Sequence, residues 1–140
     1  MERPRYRSPD PNEAQLASWV AEGLVEWTGH VPVQPYLEQT SVFVLPSFYR
    51  EGVPRSTQEA MAMARPVITT DWVGCRETVI AGRNGFLVPP RDAPALADAM
   101  QHFIDNPDLI VEMGGQSRIL AEGRFDVKAI NARIMKTLGL

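Results

Sequence analysis

Cysteine, histidine and long hydrophobic runs are all scarce in this sequence, and each scarcity excludes a class of structure. Cys75 is the single cysteine, which excludes an internal disulfide and a metal site built from several thiolates. The two histidines, His30 and His102, lie far apart in sequence, and a histidine metal centre would lack partners. No apolar run approaches the roughly 20 residues of a membrane helix, and the charged start lacks the apolar stretch of a signal peptide. We therefore expect a soluble, cytoplasmic protein.

The sequence also has no excess of positively charged residues. The chain has 14 Lys and Arg against 17 Asp and Glu, a formal net charge of −3, so it offers no general basic face to nucleic acid. What is present is ordinary globular composition, with 44% hydrophobic and 22% charged residues in a length of 140. This length predicts one domain. We expect no nucleic-acid partner.

Apolar patterning divides the chain into alternating helices and strands. The predicted strands are residues 24–27, 42–45, 67–70 and 86–88. Helices are predicted at 13–22, 56–63 and 108–122, with two more after the caps Asp92 and Asp126. The alternation predicts an α/β fold, a Rossmann-like parallel sheet with flanking helices. Four short strands are few for a complete doubly wound domain, so we expect an uncovered sheet edge.

The two ends of the chain differ in character. Residues 1–11 contain three prolines and five charged residues and are predicted to form a flexible arm or to mark a truncation. Residues 12–140 carry all the predicted helices and strands. We therefore place a single, partial domain at residues 12–140.

The stretch from Ser47 to Ala62 carries the candidate chemistry. It follows a buried strand and opens a helix, and ligands of open α/β sheets bind at such carboxyl ends of strands. The helix N-terminus offers free N–H groups to an anion, and Gly52 lets a ligand approach the backbone closely. Glu51 and Glu59 add carboxylates that can each accept two hydrogen bonds from a vicinal diol. The stretch predicts a site for hydroxylated rings and a phosphate group.

The motifs in and after this stretch stand in a specific order. Glu51 and Glu59 form an E-x7-E pair between a strand and a helix, and the helix continues as Ala-Met-Ala. Arg-Pro-Val-Ile follows at residues 65–68, and residues 84–90 are Asn-Gly-Phe-Leu-Val-Pro-Pro. This order, over about residues 12–138, resembles the signature of family 4 glycosyltransferases, the retaining GT-B enzymes of glycosyl transferases group 1.

The resemblance implies a partial C-terminal GT-B domain that binds a nucleotide-diphospho-sugar donor. The donor, such as a UDP- or GDP-sugar, would be the substrate, and the family implies neither a cofactor nor a metal. Glu51 would contact donor-sugar hydroxyls near the anomeric centre and is the candidate catalytic residue. Glu59 would bind the two ribose hydroxyls, and the backbone at Gly52 and Val53 would meet the sugar or the diphosphate.

Other residues of the donor-binding segment have more than one interpretation. Pro54 suits the first turn of a helix, where its fixed φ is an advantage. Arg55 either contacts phosphate or extends into solvent, and Ser56 either contacts phosphate or caps the helix. Two positions depart from the family. Gln58 stands where an apolar residue is frequent, and Ala64 where glycine is usual, which costs about 1 kcal/mol if Ala64 adopts a positive φ.

The resemblance also implies what a whole enzyme would contain and do. The variant Glu-Gly-Val-Pro-Arg resembles bacterial enzymes that build lipopolysaccharide, capsule or exopolysaccharide on lipid-linked acceptors, at the inner face of the plasma membrane. No segment ahead of residue 12 matches the N-terminal acceptor domain or the early part of the C-terminal domain, whose Arg and Lys neutralise the diphosphate. We therefore expect the isolated chain to be inactive in transfer and to form a homodimer through its exposed sheet edge.

Two other functions stay open at this point. The chain is alternatively a non-catalytic remnant or interaction domain without a ligand. A different Rossmann-like nucleotide binder, such as a dinucleotide enzyme, is disfavoured because no G-x-G-x-x-G lies between a strand and a helix. Nucleotide-sugar binding that is lost on Glu59→Ala would separate the glycosyltransferase from the remnant.

Most other conspicuous side chains are predicted to be structural. Trp19, Trp27 and Trp72 are core candidates, and Trp72 alternatively lines the site because it follows a strand. Cys75 is predicted to be a small packed residue rather than a nucleophile, because no histidine is near it in sequence.

Overall fold

Three short parallel strands and six helices make up the described part of the chain, residues 12–50 and 52–139 of a computed structural model. The strands are β1 (Phe43–Leu45), β2 (Val67–Thr70) and β3 (Gly85–Val88). The helices are α1 (Asn12–Ala21), α2 (Gln34–Gln39), α3 (Arg55–Ala62), α4 (Ala93–Asp105), α5 (Asp108–Arg124) and α6 (Val127–Leu138). The predicted α/β class is confirmed. The arm predicted at residues 1–11 lies outside the described residues.

The sheet has the order β1-β2-β3, with β2 in the centre and all neighbours parallel. Every β2 residue is buried, as expected for a parallel strand covered on both faces. Val67 packs with Met61 of α3 and the C-terminal half of α5. Ile68 packs on the other face with Phe103 of α4 and Met113 of α5. Within the described residues β1 pairs only with β2, so it forms one edge of the sheet.

The strand predicted at residues 24–27 is wrong. The described residues divide into two compact units between Val31 and Pro32, and the first contains α1 followed by this segment, which is neither helix nor strand. A strand needs a neighbour to accept and donate its backbone hydrogen bonds, and no strand pairs with this segment in the described residues. The core prediction fails for Trp19 and Trp27 as well, because Trp27 is 69% exposed.

A buried amide joins the turn before β3 to helix α5. Asn84, predicted only as a turn residue, is fully buried. Its Oδ1 accepts from the backbone N–H of Ile80 at 2.8 Å, and its Nδ2 donates to the carbonyl of Thr78 at 2.9 Å and to Ser117 Oγ at 3.3 Å. Because each polar atom of this side chain has a partner inside the core, Asn84 holds the turn before β3 in place against α5.

Helix α3 ends in a Schellman motif whose left-handed residue is alanine. Ala64 has φ 59°, the conformation expected where the resembled family usually has glycine. The Ala64 N–H donates to the carbonyl of Met61, and the Arg65 N–H donates to the carbonyl of Ala60 at 3.0 Å. Gly114 of α5 packs directly against the Ala64 carbonyl, and a Cβ at Gly114 would overlap that oxygen. Helix α3 is therefore fixed at its C-terminal end by close backbone contact.

The two aspartate caps are confirmed. Asp92 Oδ1 accepts from the Ala95 N–H at 2.9 Å, and Asp126 Oδ1 accepts from the Lys128 N–H at 2.8 Å. Ile134 and Leu138, two apolar residues one turn apart on α6, are exposed. None of the described helices combines the length and apolar character that crossing a membrane requires.

Candidate functional site

The loop after β1 is held to the middle strand by two buried hydroxyl groups. Thr69 Oγ1 donates to the carbonyl of Leu45 at 2.8 Å, and Thr70 Oγ1 donates to the carbonyl of Ser47. Both threonines are at least 99% buried. Because β1 and β2 are parallel, these bonds fix the start of the loop at the carboxyl edge of the sheet, where ligands of such folds bind.

The other end of the same loop is tied to helix α3. Gln58 Nε2 donates to the carbonyl of Val53 at 3.2 Å, across the helix start. Gln58 therefore replaces the apolar residue of the family with a hydrogen bond that holds the loop backbone. Pro54, at φ −62° and ψ 126°, is the residue that precedes the first helical turn. The loop from Ser47 to Pro54 is thus braced from both sides.

The N-terminus of α3 has no side-chain cap among the described residues. The alternative in which Ser56 caps this helix is therefore wrong, because α3 begins at Arg55 and Ser56 is already its second residue. Thr57, the other hydroxyl in this turn, is fully buried, and its Oγ1 has no hydrogen-bond partner among residues 12–50 and 52–139. First-turn N–H groups without a side-chain acceptor are available to an anion.

Glu59 lies one turn along α3 and is paired with Arg55. Arg55 Nε is 3.2 Å from Glu59 Oε1, and the two side chains are 93% and 40% exposed. An exposed helical pair of this spacing contributes about 0.3–0.5 kcal/mol. A ligand that offers hydroxyls to Glu59 and a phosphate to Arg55 would therefore displace the pair at little cost.

A groove of about 390 Å³ runs between α3 and the C-terminal end of α5, and its volume lies within the range of small-molecule sites. It is lined by Arg55, Gln58, Glu59 and Ala62 of α3 and by Arg118, Ala121, Glu122, Phe125 and Asp126. Arg118 lies on its far wall, where Nη1 donates to the Ala62 carbonyl at 2.6 Å and Nε donates to Glu122 at 2.8 Å. Glu59 therefore faces a groove wall that carries both positively and negatively charged side chains.

The other predicted site residues occupy the loop and helix start. Glu51, the candidate catalytic residue, lies outside the described residues. Gly52 is exposed, and the space a Cβ would occupy there is open. Val53 and Ser56 are half-buried. Those predicted site residues that the structure describes therefore share one loop–helix junction. Within residues 12–50 and 52–139, no three His, Cys, Asp or Glu side chains group as a metal site.

Two features after β2 are also placed. Cys75 is fully buried and has a free thiol, which confirms its packing role. Trp72 is half-buried at the carboxyl end of β2, between a core position and a site position. Arg76 Nε pairs with Asp71 at 3.2 Å on the surface. These residues bound the site loop after β2 without entering the groove at α3.

Sequence reasoning missed the bracing role of Thr69 and Thr70. The signal was available, because two hydroxyls at the end of a continuously buried strand must each find an acceptor. We interpreted the pair only as β-branched strand residues, since the identity of the acceptors depends on the register of β1 against β2. That register pairs Leu45 with Thr69.

Comparison with known proteins decides the family. The family model described as glycosyl transferases group 1 matches residues 6–106. The chain belongs to this glycosyltransferase family. The resemblance drawn from the E-x7-E pair and its surrounding motifs is thereby confirmed.

Individual relatives agree with this assignment. The chain is 35% identical over 133 residues to a putative colanic acid biosynthesis glycosyltransferase, WcaL, of Salmonella typhimurium, which covers 88% of this chain and 32% of that protein. Among solved structures it is similar to Anabaena HepE in complex with UDP, with a TM-score of 0.82 and 27% identity over 91% of this chain and 35% of the other. Sucrose-phosphate synthase from Thermosynechococcus elongatus gives a TM-score of 0.78 and 30% identity over 96% and 35%. The chain spans about a third of the length of these proteins.

Proposed function

We propose that this chain binds the nucleotide-diphospho-sugar donor of a retaining glycosyltransferase. The observation that carries the proposal is the junction at α3, where an uncapped helix N-terminus lies one turn from the Glu59 carboxylate. The phosphate of a nucleotide would meet the N–H groups of the helix N-terminus, and the diol of its ribose would meet the Glu59 carboxylate. The complex of the similar Anabaena protein with UDP supports a nucleotide as the ligand.

Each part of the donor has a candidate partner in this chain. The diphosphate would accept hydrogen bonds from the first N–H groups of α3 and from the Arg55 guanidinium, whose planar donors suit phosphate. Glu59 would accept both ribose hydroxyls. Glu51 would contact the transferred sugar near its anomeric carbon, with the backbone of Gly52 and Val53 beside it. Since the loop is braced at both ends, these groups would be held in place before the donor arrives.

The whole enzyme would transfer the sugar with retention to a saccharide or lipid-linked acceptor in polysaccharide biosynthesis, at the cytoplasmic face of the membrane. Supporting this, the Salmonella relative is named as a colanic acid biosynthesis glycosyltransferase. The acceptor domain and further phosphate-binding cations would come from sequence equivalent to the remaining two thirds of the relatives. The isolated chain would have no turnover, because leaving-group stabilisation and acceptor orientation would both be incomplete. Product formation from UDP-glucose by this chain alone would contradict that statement.

Self-association through the edge strand is part of the proposal. β1 is a half-buried apolar strand whose outer side has no strand neighbour in the described residues. Such edges pair readily with a second copy. Light scattering across a concentration series should show a dimer, and a monomer at every concentration would refute this part.

The ribose contact is tested by combining one protein variant with one altered ligand. UDP and its 2′,3′-dideoxy analogue, which lacks both ribose hydroxyls, are titrated into the chain and into Glu59→Gln, and dissociation constants are taken from chemical-shift changes. If Glu59 binds the diol, Glu59→Gln should weaken UDP binding roughly tenfold and leave binding of the dideoxy analogue nearly unchanged. Glu112→Gln, an exposed acid on α5, is the control and should change neither constant.

Two results would overturn the assignment. Equal losses of affinity for UDP and for the dideoxy analogue would show that Glu59 does not bind the ribose diol. Absence of UDP binding to the unaltered, folded chain would favour the non-catalytic remnant instead.

A further inference from the structure

Three side chains at the carboxyl edge of the sheet form a surface that the donor segment does not use. Phe48 and Tyr49 follow β1, and their rings stack with centroids 4.9 Å apart and planes 22° apart. Arg91 follows β3, and its guanidinium carbon lies 4.5 Å from the centroid of the Phe48 ring. Phe48, Tyr49 and Arg91 are named the aromatic shelf below. The shelf joins the loops of the two edge strands.

The aromatic shelf is exposed, which is unfavourable for large rings that have no partner. Tyr49 is 65% exposed and Phe48 is 38% exposed. Most of the Tyr49 ring therefore faces solvent, although burial of aromatic surface is strongly favourable. Two adjacent exposed rings at the ligand-binding edge of an α/β sheet indicate a surface that a ligand covers.

The backbone of Arg91 adds an independent observation. Arg91 has φ 56°, a left-handed conformation that is unfavourable for a residue with a Cβ. No carboxylate among the described residues forms a salt bridge with it. The guanidinium is instead held over the Phe48 ring by a cation–π contact. Strained residues of this kind concentrate at ligand sites, where their geometry is used.

The chemistry of the shelf selects one class of ligand. A hexopyranose ring has an apolar face of C–H groups, which a flat aromatic ring covers, and a rim of hydroxyls, which the N–H donors of a guanidinium reach. A phosphate alone would use Arg91 and leave both rings bare. Along the chain, Phe48 and Tyr49 shortly precede the segment proposed to hold the donor sugar. We propose that the aromatic shelf binds the ring of a hexopyranose, which rests on the proposed glycosyltransferase function.

The ring has two possible sources, the acceptor saccharide or the donor sugar. The test follows the backbone amide signals of the labelled chain during titration with methyl α-glucopyranoside, methyl β-galactopyranoside, UDP-glucose and UDP. Saturable shifts at Phe48, Tyr49 and Arg91 with a methyl pyranoside would support the proposal and identify an acceptor. Shelf shifts with UDP-glucose that UDP does not produce would support it and identify the donor sugar.

Variants of the shelf separate stacking from nonspecific effects. Tyr49→Ala should raise the dissociation constant of the effective hexopyranose roughly three- to tenfold, whereas Tyr49→Phe should preserve it. Arg91→Gly should weaken binding similarly while raising the melting temperature, because glycine accepts the left-handed conformation. Tyr36→Ala removes another exposed tyrosine, on α2, and should change nothing.

Two outcomes would overturn the proposal. One is the absence of shelf shifts with all four ligands at high millimolar concentration. The other is an equal response to UDP and UDP-glucose that is lost in Tyr49→Ala, which would assign the shelf to the nucleobase. Failure here is distinct from failure of the donor site, because UDP binding that depends on Glu59 and not on Tyr49 would leave the donor assignment intact.

Discussion

The centre of this molecule and its two terminal segments are built from equally apolar patterns, yet only the centre buries them. Met61 and Val67 are fully buried with the C-terminal half of α5, and Ile68 is fully buried against α4 and Met113 of α5. In contrast, Trp27 after α1 and Leu138 on α6 are 69% and 66% exposed. Apolar periodicity specifies which face of an element seeks a partner, but burial also requires that the partner be present. This contrast agrees with a chain that spans about a third of its relatives.

The two regions also differ in how they are held. In the centre, backbone groups approach closely and buried polar atoms are paired, as at Gly114 and Asn84. Large apolar side chains of the terminal helices α1 and α6, such as Trp19 and Ile134, are instead exposed. Substitutions should therefore have large effects in the centre and small effects at the ends, and four comparisons test that gradient.

Two adjacent glycines of α5 should give the largest contrast. A Cβ at Gly114 would overlap the Ala64 carbonyl, whereas a Cβ at Gly115 would meet open space. Gly114→Ala should lower the free energy of unfolding by about 3 kcal/mol through overpacking. Gly115→Ala should raise it by up to about 1 kcal/mol, because alanine favours helix. Urea unfolding measures both, and equal effects would show that α3 and α5 are not in close contact.

The brace at the site loop should have an intermediate effect. Thr70→Val keeps the shape of the side chain but removes the donor to the Ser47 carbonyl, which should cost about 1–2 kcal/mol. Amide hydrogen exchange should also speed up in residues 47–54. Thr70→Ser keeps the hydroxyl and is the control for that exchange. Unchanged exchange in Thr70→Val would mean that the loop is held by other contacts.

Substitution of the strained Ala64 at the end of α3 should raise the free energy of unfolding rather than lower it. Ala64→Gly relieves the left-handed backbone but adds freedom to the unfolded chain, so the net gain should be about 0.5–1 kcal/mol. A thermal or urea transition checks it. A loss of stability would argue that the Schellman motif does not form in solution.

The smallest effect is expected on the exposed stripe of α6. Ile134→Gln should change the free energy of unfolding by less than about 0.5 kcal/mol, because Ile134 is 51% exposed. Ile68→Val in the core, which deletes a single methylene, should cost about 1 kcal/mol and serves as the reference. A larger loss for Ile134→Gln than for Ile68→Val would break the proposed division into a packed centre and unpartnered ends.

The sequence was sufficient for elements whose signals are local. A continuous apolar run identifies β1 and a β-branched run identifies β2, and Asp92 and Asp126 are predictable as caps because each accepts from a neighbour in sequence. The candidate site residues share one loop and helix start for the same reason, since they are contiguous in sequence. Even the positive φ of Ala64 was accessible, because the family resemblance implies a glycine at this position.

Features that depend on distant partners were not predictable in this way. The strand expected at residues 24–27 fails because pairing is non-local and no neighbour is present in the described residues. The cap expected from Ser56 fails because α3 begins one residue before it. Thr70 and Arg91 gain their roles only when β1, β2 and β3 are placed side by side.

The most direct test of the central claim, that a donor half-site exists in this chain, is a map of where nucleotides bind. A heteronuclear NMR titration with UDP and GDP should shift signals in residues 51–61 and in the loop after Thr70, with the stronger ligand identifying the base. Well-dispersed spectra that do not change with either nucleotide at millimolar concentration would contradict the account. They would show a folded chain that does not bind the donor by itself.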